Sequence, residues 1–277
     1  MRSLKASMLL AAACSWPGLA GAQLEMVTNA EPQRLFAGPG KPVAVVFHNP
    51  GQQAFEGEVR ARVLETGSTT AVRWSDTAWK RLQVLPQQTV LESARLDFPA
   101  VRAETTFLIQ WLEDTNRVIG LTQVWVYPSN LLAELKPLAG AEPVGIFDPQ
   151  NQIKPLLKNL QLPFTDLEIS DLETFPGKLA LIGPFQSRAQ MREGLAEQIQ
   201  TLAKKGAAVV WLQPPPERHD AIVPSFYAVP EGKGAVVIVG ADLVSGLSEN
   251  PQAQLHLVQC SRLALNPKPF CLPNLTR

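Results

Sequence analysis

LALIGPFQSRAQMREGLAEQIQTLAKKGAAVVWLQ, residues 179–213, reads as strand, loop, helix, tight turn and strand. The apolar run Leu179–Ile182 stops at Gly183-Pro184, a pair that ends a strand. Ser187 stands three residues before Gln190, the spacing of a capping box that satisfies free N–H groups at a helix start. Met191, Leu195, Ile199 and Leu202 then recur at helical intervals as one apolar stripe. Lys204 and Lys205 suit the negative end of the helix dipole, and Gly206 supplies the left-handed residue that ends it. Ala207–Leu212 is too continuously apolar for a half-exposed strand. It reads as the centre of a parallel sheet covered on both faces.

Working outward, Val144–Phe147 is a first strand ending at Asp148-Pro149, followed by a short helix marked by Ile153, Leu156, Leu157 and Leu160 with Pro155 in its first turn. Phe164–Ile169 reads as a second strand, and Gly234–Val239 as a fifth after the tight turn Glu231–Gly234. Pro251–Leu265 reads as a closing helix. Alternating strands and helices predict a doubly wound, mostly parallel α/β sheet of order 2-1-3-4-5 over residues 129–277.

Residues 23–128 carry a different signal. Val43, Val45 and Phe47 alternate, and so do Val59, Ala61 and Val63 against Glu58, Arg60 and Arg62. Thr105–Leu112 and Val118–Tyr127 are the longest runs, joined by the polar turn Glu113–Asn116. About seven short strands in about 105 residues, with no helical stripe, predict an antiparallel β-sandwich. Tyr127–Asn130 is the expected boundary between the two domains. The fold class is thus a β-sandwich plus α/β. Four of the six tryptophans fall in the first domain, Trp74, Trp79, Trp111 and Trp125. Such residues can form a platform that stacks on sugar rings, but strands also bury aromatics as core. Trp111 shares a face with Phe107 and Ile109 and is assigned to the core; Trp74 and Trp79 flank polar Ser75–Thr77 and are the candidates for exposure.

The composition bounds the partners. The 25 basic and 25 acidic residues of this 277-residue chain cancel, which argues against nucleic acid. The 24 prolines keep helices few and short. Arg2 and Lys5, the apolar Met8–Cys14 and the small-x-small Ala20-Gly21-Ala22 form a secretory leader over residues 1–22, too short to span a bilayer. A periplasmic or secreted protein is expected, with no transmembrane helix in the mature chain. Its removal takes two basic residues and leaves 23 against 25 acidic, a formal charge of −2. Lipidation at Cys14 is the weaker alternative, because Ala11–Ala13 is a poor lipoprotein box. Cleavage would leave Cys260 and Cys271, whose export context predicts a disulfide stapling the proline-rich tail to the last helix.

The strand pattern of the first domain resembles the immunoglobulin-like and fibronectin-like modules of exported bacterial proteins, without the Cys–Trp–Cys signature of true immunoglobulin domains. In the second, Val144–Asp148, Leu181–Phe185 and Lys204–Val210 follow in an order that resembles the class I glutamine amidotransferase-like, flavodoxin-like domain. The resemblance extends to the non-catalytic versions in trehalose-utilisation-type proteins and in the middle domain of some bacterial β-galactosidases. It covers roughly half the mature chain and implies a fold. A working member places a cysteine on the turn after the strand that is here Ala207–Leu212, where this chain has Gln213-Pro214-Pro215-Pro216. Proline donates no N–H and stiffens the turn, so neither nucleophile nor oxyanion donor is apparent there. The family's later His-x-Glu pair is missing too, since His256 has no acid two residues on.

Other catalytic patterns are also lacking. Ser245 has no flanking glycine elbow, Gly38–Pro42 is not a phosphate loop, and His48, His219 and His256 have no metal-ligand spacing. No cofactor is expected. Asp148 and Asp242 follow strands at the carboxyl edge, where doubly wound sheets bind ligands, as do Gly183, Pro184 and Gln213. Asp148 reads more simply as a helix cap ahead of Pro149, and Arg218-His219-Asp220 as a solvated loop. The Asn274–Thr276 glycosylation triplet is weak evidence at the chain's end. The preferred reading is a non-catalytic exported protein holding a carbohydrate-like ligand or a partner protein at that edge or on the sandwich. The alternative is a carboxylate-dependent, glycoside-type hydrolase using Asp148, Asp242 or Glu217. A third is an accessory subunit of a larger envelope complex.

Overall fold

A computed structural model describes residues 24–28, 31–67, 69–113, 117–214 and 226–267. The leader with Cys14, the 114–116 turn, Pro215 and Pro216, Glu217, Arg218–Asp220, Cys271 and the 274–276 triplet lie outside the described residues. Among the described residues the chain divides into two compact units. One comprises residues up to Glu31, Pro42–Ala94 and Phe107–Gln123; the other comprises Pro32–Lys41, Arg95–Thr106 and the chain from Val124 onward.

Among the described residues eight strands precede residue 128: β1 Glu25–Val27, β2 Gln33–Phe36, β3 Gly38–His48, β4 Phe55–Thr66, β5 Ala71–Val84, β6 Thr89–Phe98, β7 Thr105–Glu113 and β8 Arg117–Tyr127. They form a three-stranded sheet of order β1-β3-β6 and a five-stranded sheet of order β2-β8-β7-β4-β5. In the first unit the alternation read from sequence decides what is buried. Val43, Val45 and Phe47 on β3, Val59, Ala61 and Val63 on β4, and Phe107, Ile109 and Trp111 on β7 are all shielded from solvent. Each large side chain among them contributes about 1.5–3 kcal/mol by leaving water. The Trp111 indole donates to Thr122 Oγ1 at 2.9 Å, and its ring packs 5.1 Å from Trp79 and edge-on to Phe47. Trp79 is therefore half-buried packing, whereas Trp74 is half-exposed. On β4 and β5, Arg60 and Arg62 both clamp Asp76, at 2.9 and 2.8 Å. The hydrogen bonds from Arg62 and Arg60 hold the Asp76 carboxyl below its ordinary range, against a smaller opposing effect of burial.

In the second unit a six-stranded sheet has the order β10-β9-β11-β12-β14-β13. Its strands are β9 Val144–Phe147, β10 Phe164–Asp166, β11 Leu179–Ile182, β12 Ala208–Gln213, β13 Phe226–Glu231 and β14 Gly234–Gly240. All neighbours pair in parallel except β13 with β14. Counted along the chain, the parallel strands stand in the order 2-1-3-4-5. The helices are α1 Leu135–Ala139, α2 Lys154–Asn159, α3 Leu195–Lys205 and α4 Pro251–Leu265. Ile146, Leu181, Val210 and Val237 pack on one face with residues of α1, α2 and α4. Ala180, Ile182, Val209 and Trp211 pack on the other with Leu195, Ile199 and Leu202 of α3. Both faces are covered, which is why these strands read as unbroken apolar runs. No helix among the described residues is long and apolar enough to cross a membrane.

Two local readings need correction, and one strand was not read. The organising helix starts at Leu195, not near Ser187, and Gly194 precedes it at φ +74°. Residues 188–190 form one 3-10 turn with no side-chain cap from Ser187. Gln190 instead folds back to accept from the Gln186 amide at 2.8 Å, and Met191 is extended, though half-buried against the same cluster. The second strand ends at Asp166, because Asp166 Oδ1 accepts from the Glu168 amide at 3.0 Å and turns the chain. Ile169, read as strand, is 86% exposed. Finally, β13 had no reading at all. It is an edge strand that carries Pro230, a position a sheet allows only where one side of the strand is unpaired.

Candidate ligand site at the carboxyl edge of the parallel sheet

The five residues singled out by sequence all follow parallel strands of the second unit. Asp148 follows β9, Gly183 and Pro184 follow β11, Gln213 ends β12, and Asp242 lies in the 3-10 turn Ala241–Val244 after β14. They do not form one cluster. β9 and β14 are separated by β11 and β12, about 14 Å at roughly 4.8 Å per strand step. Gly183 and Pro184 are buried at the switch point between β9 and β11, and the Gly183 amide donates to the Phe147 carbonyl at 2.8 Å. Gly183 has φ +102°, and a Cβ there would lie 2.5 Å from the Leu212 carbonyl oxygen, so only glycine fits. Gln213 is half-buried and Asp242 is exposed.

On the α2 side of this edge the polar groups satisfy one another. Asp148 is 2% exposed. Its carboxylate accepts from the amides of Gln152 at 3.0 Å, Ile153 at 2.6 Å and Lys154 at 3.0 Å. One residue thus serves three donors leading into α2, but not as the N-cap ahead of Pro149 that the sequence suggested: the helix starts at Lys154 and its N-cap position is Ile153. The Asp148 amide donates to Glu168 Oε1 at 3.1 Å. The buried Lys154 ammonium then donates to Asp166 Oδ2 at 2.8 Å and Glu168 Oε1 at 2.5 Å. Burial alone would lower the Lys154 pKa, but the hydrogen bonds and charges of Asp166 and Glu168 outweigh it and raise it. Burial likewise opposes the shift at Asp166, where Lys154, the Glu168 amide and Lys158 together keep the carboxyl below its ordinary range.

The α3 side is built differently. Phe147, Ile182 and Trp211 are register partners on three adjacent strands and belong to one buried cluster with Phe185 and Leu195. The Arg192 guanidinium lies 5.0 Å above the Phe147 ring. It donates to Gln198 Oε1 at 2.6 Å, and no carboxylate among the described residues pairs with it. The Trp211 indole N–H is buried without a hydrogen-bond partner among the described residues. Sequence reasoning missed Lys154, Asp166, Glu168, Arg192 and Trp211. A signal existed for Trp211 alone: a tryptophan near the carboxyl end of a fully buried strand brings an N–H that needs an acceptor.

Among the described residues the one cysteine lies away from this edge. Cys260 is buried on α4 within the core, and burial pushes its thiol up to about 12. His256 lies on the same helix with Nδ1 3.4 Å from the Leu243 carbonyl oxygen. No group of three or more metal-ligating side chains occurs among the described residues.

No family model and no curated protein matches the chain. Among solved structures it is similar to DesR, a β-glucosidase from Streptomyces venezuelae, at 15% identity and a TM-score of 0.28, over 40% of this chain and 16% of that one. A β-glucosidase from Listeria innocua gives 16% identity and a TM-score of 0.30, over 39% of this chain and 17% of that one. The alkylpurine DNA glycosylase AlkC of Pseudomonas fluorescens gives 11% identity and a TM-score of 0.28, over 39% and 31%. The chain thus spans about a sixth of the two glucosidases. Likenesses this slight carry no functional weight.

Proposed function

We propose that this chain is an exported, non-catalytic binding or accessory protein. In this reading residues 1–22 are a cleaved leader, residues 23–128 an immunoglobulin-like sandwich, and residues 129–277 an amidotransferase-like α/β domain that has lost its thiol chemistry. The ligand or partner, carbohydrate-like or an envelope protein, is held at the carboxyl edge of the sheet or on the sandwich. Cys260 and Cys271 form the staple of the C-terminal tail.

The observation that carries the reading is the state of Asp148. Three backbone amides occupy its carboxylate, which leaves it poorly placed to exchange a proton with a substrate. The runner-up, a hydrolase pairing Asp148 with Asp242, meets a second difficulty. Their strands stand about 14 Å apart, whereas carboxyl pairs of glycoside hydrolases are about 5–9.5 Å apart.

The test has two parts. Thermal-shift screening of the mature protein against saccharides and peptidoglycan fragments is expected to find a ligand that raises the melting temperature. Assays with ester, amide and glycoside substrates are expected to show no turnover. Turnover that is abolished by Asp242→Ala, an exposed position whose substitution leaves the core intact, refutes the non-catalytic reading.

A further inference from the structure

We propose that the α3 flank of the carboxyl edge is an oxyanion site, taking a ligand through a carboxylate or phosphoryl group. This rests on the reading of that edge as a ligand site and names the chemistry it would recognise. Three kinds of donor lie on that side of the sheet. The first is the start of α3, an eleven-residue helix with no side-chain cap. Leu195 donates to the Arg192 carbonyl and Gln198 to that of Gly194, which leaves the Ala196 and Glu197 amides without an acceptor in the preceding turn. Uncapped amides at the positive end of a helix dipole are a ready anion cradle.

The second is Arg192, three residues before the helix. Its stacking on Phe147 fixes the guanidinium over the edge of the sheet, and Gln198, its hydrogen-bond partner, is neutral. A guanidinium so placed retains donors for a planar or tetrahedral oxyanion. Glu193 and Glu197 are exposed beside it. The third is independent of both. Trp211 is 8% exposed and its indole N–H has no partner among the described residues. Val209 and Trp211 face α3, whereas Val210 and Leu212 face the opposite helices. Trp211 lies toward the carboxyl end of β12 and shares its cluster with Leu195, the first residue of α3. A buried donor left unmade costs about 1–3 kcal/mol, and such groups in native proteins call for an explanation. An acceptor that arrives with the ligand supplies one. The neighbouring α2 flank offers an anion nothing comparable, because its cation and its helix-start amides are already taken by Asp148, Asp166 and Glu168.

The test uses the full mature chain, ¹⁵N-labelled, at constant ionic strength. Inorganic phosphate and acetate are titrated separately while the tryptophan indole N–H resonances are followed, and Trp211→Phe identifies the Trp211 resonance by its loss. A saturable downfield shift of that resonance is expected with at least one anion, and the tighter of the two tells phosphoryl from carboxylate. Arg192→Gln is expected to weaken that binding about tenfold or more, as the loss of a charge-assisted hydrogen bond does. Arg81→Ala, on β5, is expected to leave it unchanged. The proposal is overturned if neither anion saturates, if the Trp211 resonance stays still while others move, or if Arg192→Gln binds as wild type. A neutral saccharide that stabilises the protein without moving the Trp211 resonance also overturns it, while leaving the binding reading standing.

Discussion

The two flanks of one sheet edge use the same kinds of parts to opposite ends. On the α2 flank a carboxylate, Asp148, neutralises the helix start, and a cation, Lys154, is bridged between two carboxylates. On the α3 flank, among the described residues, the helix start has no side-chain cap, Arg192 has only a neutral hydrogen-bond partner, and an indole N–H is buried without one. A polar network closed on itself holds a fold together and has little left for a ligand. A set of donors with no acceptor does the reverse, since it costs stability until something binds. Strained or unsatisfied groups of this kind collect where proteins act. The comparison therefore assigns structure to one flank and binding to the other, and each assignment can be broken separately.

The largest effect is expected at Asp148. Asp148→Ala strips the acceptor from three amides, two of the three bonds being buried. An exposed cap is worth about 1 kcal/mol, and buried unsatisfied groups raise the cost to about 3 kcal/mol. Urea unfolding checks this. A loss under 1 kcal/mol would mean that the α2 flank is not the structural one. Next comes Lys154→Met, which keeps the buried stem and removes the ammonium from Asp166 and Glu168. These carboxylates retain access to water, so the expected loss is about 2 kcal/mol, and phosphate or acetate binding at the other flank is expected to be unchanged. An Lys154→Met protein that loses anion binding while still folded would mean that the flanks are coupled.

Of the α2 flank only Asp148 was legible in the sequence, and of the donors on the α3 flank none was read. Asp148 read as a cap and does accept helix-start amides, but from six residues ahead of Lys154 rather than directly before a helix opening at Pro149. The apolar runs Leu179–Ile182 and Ala207–Leu212 announced buried parallel strands because no half-exposed strand tolerates such continuity. What failed was local and competitive. Ser187 and Gln190 have the spacing of a capping box, but the chain between Gly183 and Gly194 turns twice before the helix begins, and Gln190 caps the Gln186 amide instead. The Lys154–Asp166–Glu168 bridge joins residues from a helix and from the end of another strand, a contact that only the fold can create. The same holds for Arg192 on Phe147, which looks in sequence like an ordinary surface arginine.

A smaller effect concerns pH. Asp166 on the α2 flank and Asp76 on β5 both have folded-state pKa values below their ordinary range. A carboxyl whose pKa is depressed on folding adds stability above its unfolded value, near 4, and that stability is lost as the pH falls through the folded value. Stability is therefore expected to drop from about pH 4 downward. In Lys154→Met the Asp166 share shrinks, since only the Glu168 amide and Lys158 still lower its pKa, and the acid limb becomes shallower. Unfolding curves taken between neutral and acid pH read this directly, and an identical acid limb in the two proteins would show that the Lys154 bridge contributes nothing on folding.

The smallest expected effect is the most discriminating, and it compares two tryptophans under one substitution. Trp111→Phe removes a donor that Thr122 Oγ1 accepts at 2.9 Å and opens space in a fully buried core. A loss of about 2 kcal/mol follows from the cavity and the abandoned hydroxyl together. Trp211→Phe opens similar space but abandons no partner among the described residues, where the indole N–H has none. Removing an unsatisfied donor recovers part of the cavity cost, so the net change without ligand is expected to stay within about 1 kcal/mol. With a saturating anion the two variants should reverse their ranking in the stabilisation gained. Trp111→Phe keeps the full ligand-induced rise in melting temperature, and Trp211→Phe loses part of it. Equal losses at both positions without ligand would show that the Trp211 N–H does have a partner in the free protein, and the asymmetry between the flanks would then reduce to Arg192 and the uncapped start of α3.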